Sequence, residues 1–241
     1  WVNEKDVLKL LTHQNTKDAF KDVYKQFKKT IEYQLPFELV EYLYHEILEK
    51  YEAFDQAHQH DHVHQVLKTS LEIAEKLEDI RLDLVYIIAF YHDIGILYGR
   101  DQHHLTGAKY LEEDLMIRKY FNQEDIKIMK EAIEDHRASH ETAPRSIYGK
   151  IIAEADRDII PEIIIKRTVQ FGLSHHPTLT KEEHIKRSIE HLEEKYGKQG
   201  YLKLWLDSKK NIEGLEAIRK MLENKDEITK IIEKFYNKYK K

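Results

Sequence analysis

The chain contains no cysteine. Disulfide bonds and thiolate metal sites are therefore excluded, and any bound metal must be held by histidine, aspartate, glutamate or water. Nitrogen and oxygen ligands of this kind suit hard and borderline divalent cations such as iron, manganese, magnesium or zinc. The composition thus narrows the metal before any motif is considered.

Proline and glycine are also scarce, with four prolines and eight glycines in 241 residues. Leucine, isoleucine, lysine and glutamate dominate instead, which favours helices joined by short connections. We find no linker, internal repeat or low-complexity tract. The sequence therefore predicts an all-α fold that forms a single domain over residues 1–241.

Long apolar runs and a strong charge of either sign are absent as well. No stretch reaches the 18 apolar residues of a transmembrane helix, and the first ten residues carry charges where a secretory signal would be apolar. The net charge is -5 and the lysines are scattered among glutamates, which is not typical of a nucleic-acid-binding protein. We expect a cytoplasmic protein without a membrane or long nucleic-acid partner, and a homo-oligomer is left open.

Hydrophobic periodicity predicts the helices. Val63, Val66, Leu67 and Leu71 recur at three- and four-residue steps, which indicates one face of a helix. Leu82–His92 is apolar on nearly all sides and predicts a central buried helix. Gly95 is expected to cap its C-terminus, and further helices are expected over about 106–120, 123–136 and 146–160, the last ended or kinked by Pro161.

Amphipathic helices are also predicted on both sides of this central part. Two or three are expected over about residues 3–52, with Pro36 opening one of them. Three or four are expected over residues 181–241, with breaks near Gly197, Gly200 and Asn224.

Histidines and aspartates occur at apolar positions in the middle of the chain. His92 and Asp93 end the most apolar helix, His136 continues an apolar stripe, and Asp156 continues another. A buried carboxylate is costly unless a positive group meets it. An ion pair with Arg157 would explain Asp156 alone, and a buried core histidine would explain His136 alone. Together with an upstream histidine, the set offers two nitrogen and two oxygen ligands for a divalent ion.

The order of these residues resembles the HD superfamily of phosphohydrolases. The matching motifs are His62-x-x-x-Val66, then His92-Asp93-Ile94-Gly95, then Ala155-Asp156-Arg157. The resemblance covers an HD-like core of about residues 56–162, and implies an HD-domain helical bundle with extra helices over residues 1–55 and 163–241. It also implies that one metal is held by His62, His92, Asp93 and Asp156.

A second metal is implied by the same resemblance. His103, four residues before Gly107, and His136 match positions at which dinuclear members supply further ligands. Asp93 would then bridge the two ions, and His104 is an alternative to His103. The implied cofactor is one or two divalent ions, with iron, manganese or magnesium preferred and zinc, nickel or cobalt left open.

Seven other histidines receive weaker assignments. His62 is preferred within the run of alternate histidines because of its spacing to Val66, so His58 is assigned a supporting role and His60 and His64 are expected to be exposed. His175 and His176 lie in a predicted loop that is a candidate lid. His184 and His191 are expected to face solvent on a charged helix.

The resemblance implies hydrolysis of a phosphate ester by a metal-activated water, with Asp93 as the central catalytic residue. Arg137 is assigned to the phosphate and His140 to the leaving group, although an exposed loop position is the alternative for His140. Arg100 and Arg157 are further candidates for phosphate binding. The expected partner is a small phosphorylated substrate, preferably a nucleotide. The alternatives are a non-catalytic metal- or nucleotide-binding sensor and, from diiron members of the superfamily, an oxygenase.

Overall fold

The computed structural model describes residues 8–21, 33–54, 60–139 and 142–240. These residues form helices and connecting turns, and no strand occurs among them. The predicted all-α fold is thereby confirmed. His58 and His140 lie outside the described residues, so the roles assigned to them stay predictions.

The chain divides into two compact units. One consists of Trp1–Asp135 and Arg145–Ile152, and the other of His136–Pro144 and Ala153–Lys241. The single-domain organisation with its core over about residues 56–162 stays a prediction.

The described part of the first unit opens with helical segments over residues 8–10 and 14–21, followed later by α1, Phe37–Tyr42. Pro36 precedes α1 directly, as the sequence predicts. The helical turn then widens in a π-helix, Leu43–Ile47, and narrows in a 3-10 helix, Leu48–Ala53. The buried apolar side chains of this region include Leu39, Val40, Leu43, Ile47 and Tyr51.

Two helices form the centre of the first unit. Helix α2, His60–Ala74, packs along α3, Leu82–Tyr91. Every residue of α3 from Leu84 to Tyr91 is buried, which confirms the predicted central helix. Among the described residues no single helix has the length and apolarity to cross a membrane, whereas the bent pair Leu82–Tyr98 and His103–Glu113 meets that criterion by length and composition only.

The predicted helix over residues 106–120 is wrong, because the chain forms two helices there. Helix α4, His103–Glu113, and helix α5, Leu115–Tyr120, are separated by Asp114. One oxygen of Asp114 accepts the N–H of Met116 at 2.8 Å and so caps α5. Its other oxygen accepts the hydroxyls of Tyr42 and Tyr91 at 2.7 and 2.8 Å. A polar residue with this many partners ends one helix and begins the next.

The next helices of the central region follow the predicted bounds closely. Helix α6, Gln123–Asp135, packs against α4 and α3, and α7 follows over Ile147–Arg157. Gly95 does not cap α3 as predicted, since it lies inside a 3-10 helix, Ile94–Tyr98. The residue with positive φ that follows this turn is Gly99, at 112°.

The second unit contains four further helices. Pro161 occupies the first turn of α8, Pro161–His175, and therefore starts a helix rather than only ending one. The other three are confirmed with their predicted breaks, and are α9, Lys181–Tyr196, α10, Lys209–Glu223, and α11, Lys225–Tyr239. Helix α8 packs against α9 and α11, and the core includes Ile165, Val169, Leu192, Ile218 and Ile232.

The prediction that His184 faces solvent is wrong. Its exposed fraction is 3%, and its ring centroid lies 5.4 Å from that of Tyr236. The physical reason is the spacing along α9, where residues 184, 188, 192 and 196 recur every four positions and form one buried stripe. His191 is half-buried.

The burial of His184 predicts a loss of stability in mild acid. Burial lowers the pKa of His184, and the charges of Arg187, Lys240 and His176 lower it further, against a smaller opposite effect of Glu183. The unfolded chain therefore binds more protons than the folded chain below about pH 6.5, so stability falls as the pH falls. Urea unfolding at about pH 7.5 and 5.5 should show a larger loss for the wild type than for His184→Phe. Equal losses would contradict this.

Candidate metal centre

His92 and Asp93 stand at the C-terminal end of α3, where both side chains are buried. Asp93 is 4% exposed. The Nε2 atoms of His62, from α2, and of His92 each lie 3.4 Å from Asp93 Oδ2. The two Nε2 atoms lie 3.1 Å from each other. His103, the first residue of α4, places its Nε2 3.3 Å from Asp93 Oδ1. Both oxygens of one buried carboxylate thus face imidazole nitrogens.

Backbone carbonyls orient two of these rings. His92 Nδ1 lies 2.8 Å from the Ala89 carbonyl oxygen, and His103 Nδ1 lies 2.7 Å from that of Arg100. A carbonyl only accepts, so Nδ1 carries the proton and donates it in each ring. In a neutral ring Nε2 then presents a lone pair, and a lone pair facing a carboxylate oxygen is repulsive without a proton or cation between them. This arrangement fits a divalent cation with nitrogen and oxygen ligands.

All six residues predicted as ligands fall into two groups that share Asp93. His62, His92, Asp93 and Asp156 each offer one ligand atom, and these atoms lie within 4.8 Å of one another. Asp93, His103 and His136 meet the same condition. His104, the alternative to His103, is buried but belongs to neither group.

Two glycines allow α4 to approach His92 and Asp93, the HD pair. A Cβ on Gly95 would lie 2.0 Å from the carbonyl oxygen of His103 and 2.4 Å from the backbone nitrogen of Gly107. A Cβ on Gly107 would lie 3.1 Å from the backbone nitrogen of Gly95. The Thr106 hydroxyl donates to the Gly95 carbonyl at 3.1 Å and ties the two segments together. The glycines thus bring the start of α4, and His103 with it, against Asp93.

Replacing His103 should remove one ion and leave the other. His103→Ala removes a ligand of the group that also contains His136, whereas the group with His62 and His92 keeps all its donors. We expect bound metal to fall from about two to about one ion per chain, measured by elemental analysis after reconstitution. His104→Ala is the matched control and should keep both ions. Loss of an ion from His104→Ala instead would transfer the assignment to His104.

An arginine holds the end of α6 directly before His136. Asp135 Oδ2 accepts the backbone N–H of Arg145 at 2.7 Å and its Nε at 3.0 Å, and Oδ1 accepts Nη2 at 2.8 Å. Nη2 also donates to Glu134 at 2.5 Å. The hydrogen bond with Asp135 is the main cause that raises the pKa of Arg145. This clamp was not predicted from the sequence, although an aspartate directly before a buried histidine is a signal for it.

Removing the clamp should weaken the second ion. Arg145→Met frees the end of α6, and loss of a group that orients a metal ligand typically lowers metal affinity about tenfold to a hundredfold. Titration of metal-free protein with Mn²⁺, followed by isothermal calorimetry, measures this change. Lys127→Met removes an exposed cation from the same helix and is the control. Equal affinity in Arg145→Met and Lys127→Met would show that the clamp has no such role.

Tyr51, in the 3-10 helix before α2, supports the C-terminal end of α3. Its buried hydroxyl donates to the carbonyl oxygen of Phe90 at 2.7 Å. Burial raises the pKa of Tyr51, and the charge of Asp93 raises it further, so the phenol stays a neutral donor. This role of Tyr51 was not predicted from the sequence, because nothing in the local pattern around Tyr51 marks it.

The three candidate arginines differ in their burial. Arg100 is exposed, Arg137 is half-buried, and Arg157 is 9% exposed. Burial lowers the pKa of Arg157 against the smaller, opposite effects of the charges of Glu154 and Asp156, and the ion-pair interpretation of Asp156 stays a prediction.

The remaining candidate histidines lie in different settings. His64 is exposed as expected, and His60 is partly exposed with its Nε2 3.9 Å from Glu52. His175 is exposed and stacks on Phe171 with ring centroids 3.9 Å apart. A lid role for His175 and His176 stays a prediction.

Comparison with known proteins identifies the family. The HD domain family model matches residues 60–158, close to the predicted core. The matched range contains every predicted metal ligand, and an HD domain indicates the superfamily of metal-dependent hydrolases. Comparisons with curated proteins and with solved structures gave no match. The chain therefore carries an HD domain over residues 60–158.

Proposed function

We propose that this protein is a metal-dependent phosphohydrolase that cleaves a phosphate ester of a small molecule, with nucleotides as the preferred substrate class. The observation that carries the proposal is the setting of Asp93, a buried carboxylate whose two oxygens face the Nε2 atoms of His62, His92 and His103. The HD domain over residues 60–158 supports the same reaction class.

In this proposal one ion would be held by His62, His92, Asp93 and Asp156, and a second by Asp93, His103 and His136. When bound, such ions lower the pKa of a coordinated water and take up charge on a phosphoryl oxygen. Iron, manganese and magnesium are the preferred metals, and zinc, nickel and cobalt also suit these donors.

The chain itself contributes orientation and charge. The Ala89 and Arg100 carbonyls fix the ring nitrogens that face Asp93, and Tyr51 holds the end of α3. Asp93 supplies negative charge to both proposed ion positions. Arg137 is proposed to contact the phosphate, and His140 is proposed to protonate the leaving group. No side chain needs to act as a nucleophile, because the attacking group is water.

Phosphate release from a substrate panel tests this function. The protein is stripped with a chelator, reconstituted separately with Fe²⁺, Mn²⁺, Mg²⁺ and Zn²⁺, and assayed on nucleoside phosphates, cyclic nucleotides and sugar phosphates. We expect release that depends on the added metal and is lost again on chelation. Asp207→Asn, an exposed aspartate in the second unit, should leave the activity unchanged. Bound metal with no turnover of any substrate on the panel would contradict the proposal and favour the alternative of a non-catalytic metal- or nucleotide-binding sensor.

A further inference from the structure

An open cavity in the second unit is lined by residues that belong to neither metal-ligand group. Its volume is about 410 Å³, and its wall is formed by α8, the loop after α8, α9 and the C-terminal end of α11. Sites for small molecules have volumes of roughly 300–1,000 Å³. The cavity is therefore large enough for a small organic ligand, and the proposed hydrolysis makes no use of it.

His184, a buried residue of α9, lines this cavity. Its exposed fraction is 3%. Its backbone N–H donates to the carbonyl of Thr180 at 3.0 Å, and its carbonyl accepts the hydroxyl of Ser188 at 2.8 Å, whereas neither ring nitrogen has a hydrogen-bond partner among the described residues. A polar group that is buried without hydrogen bonds costs free energy. An acceptor group of a ligand in the cavity would supply a bond to this ring.

Lys240, which directly follows α11, brings a positive charge to the same wall. Its Nζ donates to the hydroxyl of Tyr236 at 2.6 Å, and the ring centroid of Tyr236 lies 5.4 Å from that of His184. Tyr236 thus connects the lysine to the histidine. A phenol is neutral and an ammonium has three donors, so Lys240 keeps its charge and two further N–H groups for a ligand.

The charge of the wall favours an anion. Among the described residues that line the cavity none is acidic, while Gln170 and Ser174 add an amide and a hydroxyl from α8. Burial lowers the pKa of His184, and the charges of Arg187 and Lys240 lower it further, which agrees with a positive potential at the ring. The ammonium of a lysine is a single point charge, so it matches a ligand with one negative charge.

We propose that this cavity binds a small organic acid whose carboxylate contacts His184 and Lys240. A carboxylate accepts charge-assisted hydrogen bonds from an ammonium, and these are stronger than bonds between neutral groups. The rest of the wall is apolar or aromatic and would hold the hydrocarbon part of the ligand against Leu173, Pro177 and Tyr239. This second ligand site goes beyond the proposed hydrolysis and does not depend on it, because no proposed metal ligand takes part.

Isothermal calorimetry with octanoate, a carboxylate on an apolar chain, tests this assignment in the metal-loaded protein. We expect octanoate to bind at least about tenfold more tightly than acetate, which lacks the apolar chain, or octanol, which lacks the charge. Lys240→Met should weaken octanoate binding about threefold to tenfold, because a charge-assisted hydrogen bond is lost. Lys234→Met removes an exposed lysine of α11 and is the control of equal net charge. Equal octanoate affinity in the two variants, or equal affinity of the wild type for octanol and octanoate, would overturn the inference.

Filling the cavity gives a second test that leaves Lys240 in place. Ser174 is exposed, so Ser174→Phe adds an aromatic ring to the wall without altering the buried core. Octanoate binding should fall at least about tenfold, whereas Thr178→Phe, an exposed position in the loop after α8, should bind octanoate as the wild type does. Octanoate that bound a metal ion instead would keep its affinity in Ser174→Phe, and that result would overturn the inference.

Discussion

Asp93→Asn should abolish hydrolysis, with turnover lowered by about three orders of magnitude or more. Asp93 is the residue common to both groups of ligand atoms, so the asparagine removes negative charge from both proposed ions and leaves one oxygen donor where the carboxylate has two. The substitution keeps the shape of the side chain. Asp207→Asn removes an exposed carboxylate and serves as the matched control in the same assay. Turnover within tenfold of the wild type would exclude Asp93 as the shared ligand.

The metal-free form of the same variant should be more stable than the metal-free wild type. The amide of an asparagine can donate a hydrogen bond to the Nε2 lone pair of His92 or His103, where the carboxylate only repels it. We expect the free energy of unfolding to rise by about 1 kcal/mol in chelator. If protonated histidines paired with Asp93 instead, the substitution would remove ion pairs and stability would fall. The sign of the change therefore separates a metal site from a buried ion-pair cluster.

Gly95→Ala should both destabilise the fold and displace the second ion. The added Cβ would overlap backbone atoms of His103 and Gly107, which cannot move without shifting the start of α4. Overlap of this kind costs about 1–3 kcal/mol, and the shift carries His103 away from Asp93. Chemical unfolding and elemental analysis should therefore show lower stability together with about one ion per chain.

Gly99→Ala is the informative comparison for that result. Gly99 has a positive φ, but a Cβ there would meet nothing within 4 Å. The substitution should cost stability through backbone strain while leaving His103 in place, and both ions should remain bound. A loss of the second ion in Gly99→Ala but not in Gly95→Ala would contradict the role assigned to the close approach of α4.

The sequence identified the parts of the site that depend on local pattern. The apolar run before His92 predicts the buried helix α3, and the HD pair at its end follows from the same run. The four-residue step from His62 to Val66 places His62 on α2 with its apolar stripe. Such features are determined by neighbouring residues, and the resemblance to HD proteins supplied their grouping.

Features that depend on distant contacts were missed. Asp114 breaks the predicted helix because hydroxyls of Tyr42 and Tyr91 meet it, and Tyr42 is 72 residues away in sequence. Gly95 was interpreted as a cap, whereas its function is to admit backbone atoms of His103. Charge on α9 suggested that His184 faces solvent, whereas its four-residue register with Leu192 buries it.

The choice between His103 and His104 shows the same limit. The two histidines are adjacent at the start of one helix, so sequence periodicity gives little indication of which one is the metal ligand. The distance of 3.3 Å between His103 Nε2 and Asp93 Oδ1 separates them clearly, and it depends on the Gly95 and Gly107 approach. Backbone packing outside this segment thus determines which of the two histidines faces Asp93.

The metal content of the purified chain tests the central claim most directly. Wild-type protein reconstituted with Fe²⁺ or Mn²⁺ and freed of excess metal should hold about two ions per chain, and Asp93→Asn should hold almost none. Asp207→Asn should match the wild type. A wild-type chain that retains no metal, or an Asp93→Asn chain that retains as much as the wild type, would contradict the account.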